Sequence, residues 1–293
     1  MKKEIEPQHF KWHQSNEIST SILSFWQENG FLIFDNFYSK EECEKLKAHA
    51  SKLIDEFDPN KNKVIFSTTE QNHSSEEYFR TSGDKIRFFL EEGAVQEDGS
   101  LNRDKNIAIN KIGHALHDLD PAFSNFSRQK KLAMLCNSIG IEDPLLLQSM
   151  YICKQPQIGG EVTYHQDSSF LYTEPESCIG FWVAIEDATV ENGCMWAAAG
   201  GHKAPLRKRF KEIDGELKMV DLDDSPFPEA NIPLSAKQGT LIVLHGRLPH
   251  LSGPNHSDFS RHAYALHIID GRANYLADNW LQRSETMPLK GFF

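Results

Sequence analysis

At 293 residues and 39% hydrophobic content, the chain is long enough to bury a large core, as one elaborated domain or two smaller ones. Its net charge of −11 argues against nucleic acid or an anionic membrane surface as the main partner. Five cysteines without C-x-x-C spacing (Cys43, Cys136, Cys153, Cys178, Cys194) read as reduced thiols, not as a disulfide framework.

The first 16 residues are polar and expected to be loosely held. From Glu17 to Asn29 the apolar positions Ile18, Ile22, Phe25 and Trp26 recur at helical spacing, and Gly30 is a natural stop. Phe31 to Phe34 reads as a short buried strand. Ser39-x-x-Glu42 is a capping box, and Cys43, Leu46, Ala50, Leu53, Ile54 and Phe57 form the apolar stripe of a second helix, which Asp58-Pro59-Asn60 ends. Polar loops follow around a strand near 82–90, and Asp98-Gly99 marks a hairpin turn. Residues 107–116 lead into a helix that breaks near Asp120-Pro121. A further helix is expected from Phe123 to Ile139, stopped by Gly140.

After Pro144 strand patterns dominate, at 145–153, 161–166, 178–185, 193–198, 239–245 and 261–269, with turn signals between them. Residues 202–232 interrupt them as a long loop, insertion or lid. They carry the basic cluster Lys203, Arg207, Lys208, Arg209 and Lys211, which is read as a solvated stretch balanced by Asp221, Asp223 and Asp224 before it is read as a phosphate site. No linker separates helices from strands. The prediction is one domain over 1–293: a helical support region 17–144, a jelly-roll core 145–270 and a C-terminal extension 271–293. The expected fold class is mainly β with helices, a cupin-like double-stranded β-helix with N-terminal helices packed on one face.

No apolar run approaches the roughly 18 residues of a membrane span. No apolar h-region follows the N-terminus, and Lys290-Gly291-Phe292-Phe293 is not a peroxisomal Ser-Lys-Leu address. A cytoplasmic monomer acting on a small molecule is the default expectation.

The stretch that carries chemistry is Thr163-Tyr164-His165-Gln166-Asp167. On extended backbone an imidazole and a carboxylate at i and i+2 share a face, so His165 and Asp167 can grip one metal ion. A third ligand would complete a two-His-one-carboxylate triad with open metal positions. His250 is the preferred third ligand, with His245 as the alternative; His114 and His117 read as histidines on a solvated helix face. His250 is favoured by Ser252 and Arg261 downstream. A 2-oxo diacid chelated at the metal needs a cation for its far carboxylate, and the planar fork of Arg fits that role best.

These residues resemble the phytanoyl-CoA dioxygenase family of Fe(II)/2-oxoglutarate oxygenases. The likeness runs through His165-Gln166-Asp167, Trp182 in its Gly180–Trp196 strand pair, and His250-x-Ser252 with Arg261. The phytanoyl-CoA dioxygenase domain-containing proteins are the most similar group, through 82–89, 110–117, Gln148-Ser149-Met150-Tyr151-Ile152 and 171–175. The resemblance implies Fe(II) on His165, Asp167 and His250, and 2-oxoglutarate on Arg261 and Ser252. It further implies that Trp182 and Met150 line the cosubstrate pocket, with Lys111 adding a positive charge. The implied reaction uses O2, with ascorbate as a reductant, to hydroxylate a small organic substrate, an acyl or lipid-like molecule being one candidate. A metal- and 2-oxoglutarate-binding protein without turnover is the alternative. Asp167 favours hydroxylation over halogenation, which in this family goes with a small residue at that position. Two departures weaken transfer of a substrate. The peroxisomal address of members acting on CoA thioesters is missing, and Ala197-Ala198-Ala199-Gly200 is bland where relatives often read Phe-Ile-Pro-Gly.

Overall fold

A computed structural model describes residues 7–12, 18–59, 65–66, 73–96 and 98–293. Of the expected loose N-terminus, 1–6 and 13–16 lie outside these residues, as do Glu17 and Asn60. His9–Lys11 form β1, which pairs in parallel with β2, Phe31–Asp35, while Phe10 and Trp12 pack on the core. Between them α1, Thr20–Asn29, is capped by Ser19 and stopped by Gly30 at φ 79°. A Cβ at Gly30 would lie 2.4 Å from His202 Nδ1, so this turn needs glycine twice over.

The predicted capping box is present on α2, Lys40–Glu56: Glu42 N–H donates to Ser39 Oγ (3.2 Å) and Ser39 N–H to Glu42 Oε2 (2.7 Å). The helix ends before Asp58-Pro59, because a residue preceding proline disfavours helical backbone. Next come β3 (Ile65–Phe66), α3 (His73–Arg80), β4 (Ile86–Glu91), β5 (Ile109–His114) and α4 (Leu116–Leu119). Asp120-Pro121 does break α4, and it also starts α5, Pro121–Ser127. Asp120 accepts from Ala122 N–H (2.9 Å) and Phe123 N–H (3.1 Å), with proline at the first turn.

The single helix expected from Phe123 to Ile139 is two, α5 and α6 (Lys130–Ser138). The chain turns at Arg128, whose side chain folds inward to Asp118 and donates from Nε to Gly291 O at 3.2 Å. Arg283 Nη1 reaches the same buried carboxylate at 3.0 Å.

The remaining strands are β6 (Pro144–Lys154), β7 (Val162–His165), β8 (Thr173–Glu174), β9 (Ile179–Ala184), β10 (Met195–Ala197), β11 (Lys208–Ile213), β12 (Glu216–Asp221), β13 (Ile232–Leu234), β14 (Leu241–His245), β15 (His250–Ser252), β16 (Arg261–Asp270) and β17 (Asn274–Tyr275). A nine-stranded sheet runs β1-β2-β14-β9-β16-β6-β5-β4-β3 and faces a four-stranded sheet, β13-β10-β15-β7. The architecture is the expected jelly roll. One expectation needs correction: residues 17–144 supply strands β2 to β5 of the large sheet as well as helices.

Alternation explains the layering. In β2, Leu32 and Phe34 face the helices together with Trp26, Leu46 and Ile54, whereas Phe31 and Ile33 face the inner core. A strand buried on both faces reads as an unbroken apolar run, as β2 does. The inner core joins Ile33, Ile242, Trp182 and Ala265 to Met195, Ile232 and Leu234 of the small sheet.

Residues 202–232 are not a bare loop. Within them, residues 208–221 form a β11–β12 hairpin around Asp214 (φ 53°) and Gly215 (φ 83°), the two left-handed residues of a tight turn. The basic cluster is largely paired: Arg207 with Asp223 (2.7 Å), Lys208 with Asp221 (3.1 Å), and Arg209 and Lys211 both with Asp278. Ala197, the last residue of β10, and Ala198 are buried and do not line the cavity. No helix among the described residues is long and apolar enough to cross a membrane.

Candidate active site

The two sheets enclose a cavity of about 250 Å³. Its wall contains His165, Asp167, His250, Ser252, Arg261, Trp182, Met150 and Lys111, so the eight residues expected to serve the metal and the cosubstrate converge on one space. Their order follows from register. On β16 the inward residues are Arg261, Ala263, Ala265 and His267, two apart. Ala263 pairs with Ile152, which pairs with Lys111; Ala265 lies between Met150 and Trp182; His267 lies between Gln148 and Gly180. Arg261 thus marks one end of the cavity and His267 the other.

His165 and His250 are directly opposed on β7 and β15, with ring centroids 4.3 Å apart. Each ring is fixed by its Nδ1–H, which donates to Thr163 O (2.7 Å) for His165 and to Leu248 O (2.9 Å) for His250. Both Nε2 lone pairs are therefore turned to the cavity, the tautomer a metal ligand needs. Gln166 is extended and locks the turn between the pair, donating to Arg247 O (2.8 Å) and accepting from Arg207 N–H (2.9 Å). Asp167 Oδ1 lies 3.6 Å from His165 Nε2 and 3.7 Å from His250 Nε2. The three donor atoms lie within 4.8 Å of one another, a spacing that suits a single ion. Burial opposes ionisation of Asp167, but His267, His250 and His165 around it hold its carboxyl well below the usual carboxylate range. Burial pushes His250 down to about 4, so it is neutral near pH 7.

At the other end Arg261 is 2% exposed. One Nη2–H donates to Ser252 Oγ (3.3 Å), and the guanidinium carbon lies 5.4 Å from the Trp182 ring centre. Nε and Nη1 have no hydrogen-bond partner among the described residues. Burial lowers its pKa to about 10, which leaves it charged. A buried cation with two unused, coplanar donors fits a carboxylate. Nearby, Lys154 Nζ donates to Gly160 O and Gly253 O, both at 2.6 Å, and staples two loops beside it.

Other readings are corrected. His245 turns away towards Trp26 and His202 and does not line the cavity, which leaves His250 as the third donor. His114 and His117 are buried, not solvated. His114 shares a hydrogen bond with Ser82 Oγ (2.7 Å), and His117 with Ser149 Oγ (2.8 Å). Phe170 lines the cavity, whereas Tyr172 lies under Arg209 and Arg87 over Tyr78.

Sequence reasoning passed over His267, whose Nε2 lies 3.4 Å from Asp167 Oδ2. Its even spacing from Arg261 was the available signal. Gly180 was also missed. A Cβ there would lie 2.9 Å from Asp167 Oδ2, so the carboxylate occupies space that only glycine leaves open. Gly180→Ala is expected to displace Asp167 and weaken metal affinity by roughly 10-fold or more while the fold survives. Metal titration followed by thermal melting checks both halves.

Three neutral histidines, the buried His250 and the partly buried His245 and His262, each lie near 4 instead of 6.5, with desolvation the main cause. The unfolded chain protonates them near 6.5 and the folded protein only near 4, so the unfolded state binds more protons between these values. Stability of the metal-free protein is expected to be complete above pH 6.5 and to fall as pH drops towards 4. Denaturant unfolding across that window measures it; a flat profile would contradict the burial argument.

The profile described as phytanoyl-CoA dioxygenase (PhyH) matches residues 26–263. The chain is 43% identical over 275 residues to the phytanoyl-CoA dioxygenase of Arabidopsis thaliana, covering 94% of this chain and 96% of the relative. It is 38% identical over 282 residues to phytanoyl-CoA dioxygenase domain-containing protein 1 of Mus musculus, covering 92% and 97%. In fold it is similar to the epimerase SnoN, solved in complex with Fe3+, alpha ketoglutarate and nogalamycin RO. That match has a TM-score of 0.59 at 15% identity, over 92% of this chain and 97% of SnoN. The chain therefore belongs to the phytanoyl-CoA dioxygenase family, a family of non-haem iron, 2-oxoglutarate-dependent dioxygenases.

Proposed function

We propose that this chain couples oxidative decarboxylation of 2-oxoglutarate, to succinate and CO2, with hydroxylation of a small organic substrate. In this reading His165, Asp167 and His250 hold Fe(II), and Arg261 with Ser252 binds the far carboxylate of 2-oxoglutarate. Met150 and Trp182 wall the space between them, and Lys111, whose pKa burial lowers to about 7, stands beside it. The donor set fits the metal: two neutral imidazole nitrogens and one carboxylate leave a site of low net charge with open positions. Iron bound there would supply activation of O2. The balance closes. Two electrons come from 2-oxoglutarate and two from a C–H bond; one oxygen atom ends in succinate and the other in the new hydroxyl group.

The chain's own task is position and exclusion of water. The two Nδ1–H anchors hold the imidazoles without adjustment, and the buried Arg261 needs little reorganisation to meet an anion. The observation that carries the reading is this pairing, in one cavity, of three converging metal donors with a buried guanidinium that has two open donors. Purified protein with Fe(II), ascorbate and labelled 2-oxoglutarate is expected to release CO2, and to stop when the iron is chelated. Iron and 2-oxoglutarate bound without any CO2 release would instead support a binding protein without turnover.

A further inference from the structure

Beyond the triad, at the end opposite Arg261, the cavity wall changes character. Phe79 and Trp280 stack face to face, with centroids 4.1 Å apart and planes 18° apart. His114 stands edge-on to both, at 5.5 Å and 5.2 Å. Phe170 closes the side next to His165, at 6.0 Å. Gln148 and His267 face each other across the β6–β16 pair, Gln148 Nε2 lying 3.4 Å from His267 Nδ1. Of the ionisable lining residues, Arg261, Glu91 and Lys154 belong to the other end, where Glu91 accepts from Gly160 N–H (3.0 Å) beside Lys154; Asp167 lies between the ends, and Lys111 stands 5.7 Å from the Phe89 ring centre.

Two polar atoms in this aromatic wall have no partner among the described residues: the Gln148 carbonyl Oε1 and the Trp280 indole Nε1–H. Gln148 is 5% exposed and Trp280 is 3% exposed. Buried polar groups left unpaired are costly and uncommon, so a pair of them in a cavity wall points to a ligand that supplies the missing halves. The indole needs an acceptor and the carboxamide oxygen needs a donor. Flat aromatic walls favour a flat ring. Size narrows the class further. Drug-sized ligands occupy pockets of roughly 300–1,000 Å³, whereas this cavity is about 250 Å³ and, on the reading above, also houses 2-oxoglutarate.

We propose that the Phe79–Gln148–Trp280 end of the cavity binds the reacting part of the substrate, a small, flat, uncharged ring carrying a carbonyl next to an N–H: a cyclic amide, an imide or a related heteroaromatic. The inference rests on the dioxygenase reading for the identity of the other end. It makes an acyl chain a poor occupant, because a methylene chain satisfies neither polar atom.

The test titrates 2-pyridone and glutarimide into protein loaded anaerobically with Fe(II) and 2-oxoglutarate. Cyclohexanone (carbonyl only), toluene (neither group) and octanoyl-CoA serve as comparisons. The two cyclic amides are expected to bind about 10-fold more tightly than cyclohexanone or toluene. Trp280→Phe and Gln148→Leu are each expected to remove most of that preference. Equal binding of the amides and toluene, tighter binding of octanoyl-CoA, or an unchanged preference in both variants would overturn the proposal. CO2 release by the wild-type protein without any ring separates the two claims. Its absence counts against the dioxygenase reading. Its presence, with no discrimination among rings, counts against this inference alone.

Discussion

Asp167→Ala is expected to abolish decarboxylation of 2-oxoglutarate, to below about one per cent of wild type, while the metal-free protein still folds. Asp167 brings the only negative charge among the three donors and is the atom on which both imidazoles converge, at 3.6 and 3.7 Å. Loss of an outer-shell partner alone typically costs about 10–100-fold in metal affinity or activity, so loss of a direct ligand sits beyond that range. Folding should survive, because the rings of His165 and His250 are held by backbone carbonyls and not by the carboxylate. The checks are CO2 release from labelled 2-oxoglutarate at saturating Fe(II), with the circular dichroism spectrum as the control for fold. Turnover that persists in the variant would remove His165, Asp167 and His250 as the metal site.

Arg261→Leu is expected to move two measurements in opposite directions. The KM for 2-oxoglutarate should rise by about 100-fold, with kcat at saturation within a few-fold of wild type, because the lost bond is charge-assisted and holds the cosubstrate away from its reacting end. The ligand-free protein, however, should melt at the same temperature or higher. Arg261 is buried, makes no ion pair among the described residues, and leaves Nε and Nη1 unpartnered, so an apolar replacement removes a desolvation penalty. Stabilisation by 2-oxoglutarate should disappear. Thermal melting with and without 2-oxoglutarate reads both effects. A KM that does not change would place the carboxylate clamp elsewhere, and a large fall in the apo melting temperature would make Arg261 chiefly structural.

Much of this site is written locally in the chain. His165, Gln166 and Asp167 are neighbours in sequence, and extended backbone at Gln166 is enough to put the imidazole and the carboxylate on one side. The Ser39–Glu42 box likewise closes within four residues, so covalent geometry settles it. Strands such as Phe31–Asp35 and Leu241–His245 announce themselves because burial on both faces demands an unbroken apolar run.

What stayed hidden depends on partners far away in sequence. The break at Arg128 has no glycine or proline to signal it; it exists because Asp118 and Gly291 draw the guanidinium inward. His114 and His117 sit in a pattern typical of a solvated surface, and only packing beside Ser82 and Ser149 buries them. The Asp214-Gly215 turn was a local signal, but it was lost in a stretch read by its charges.

The sequence by itself determined the ligand types, their spacing and the cation that accompanies them. Tertiary structure groups His250, and not His245, with His165 and Asp167, because strand pairing sets His250 opposite His165 while β14 carries His245 away. It also decided that Gly180, Gln148 and His267 share one row, through the pairing of β6, β9 and β16. Neighbouring residues are held by bonds whose geometry is known in advance. Strands far apart in sequence meet in a register that emerges only when the whole core is packed.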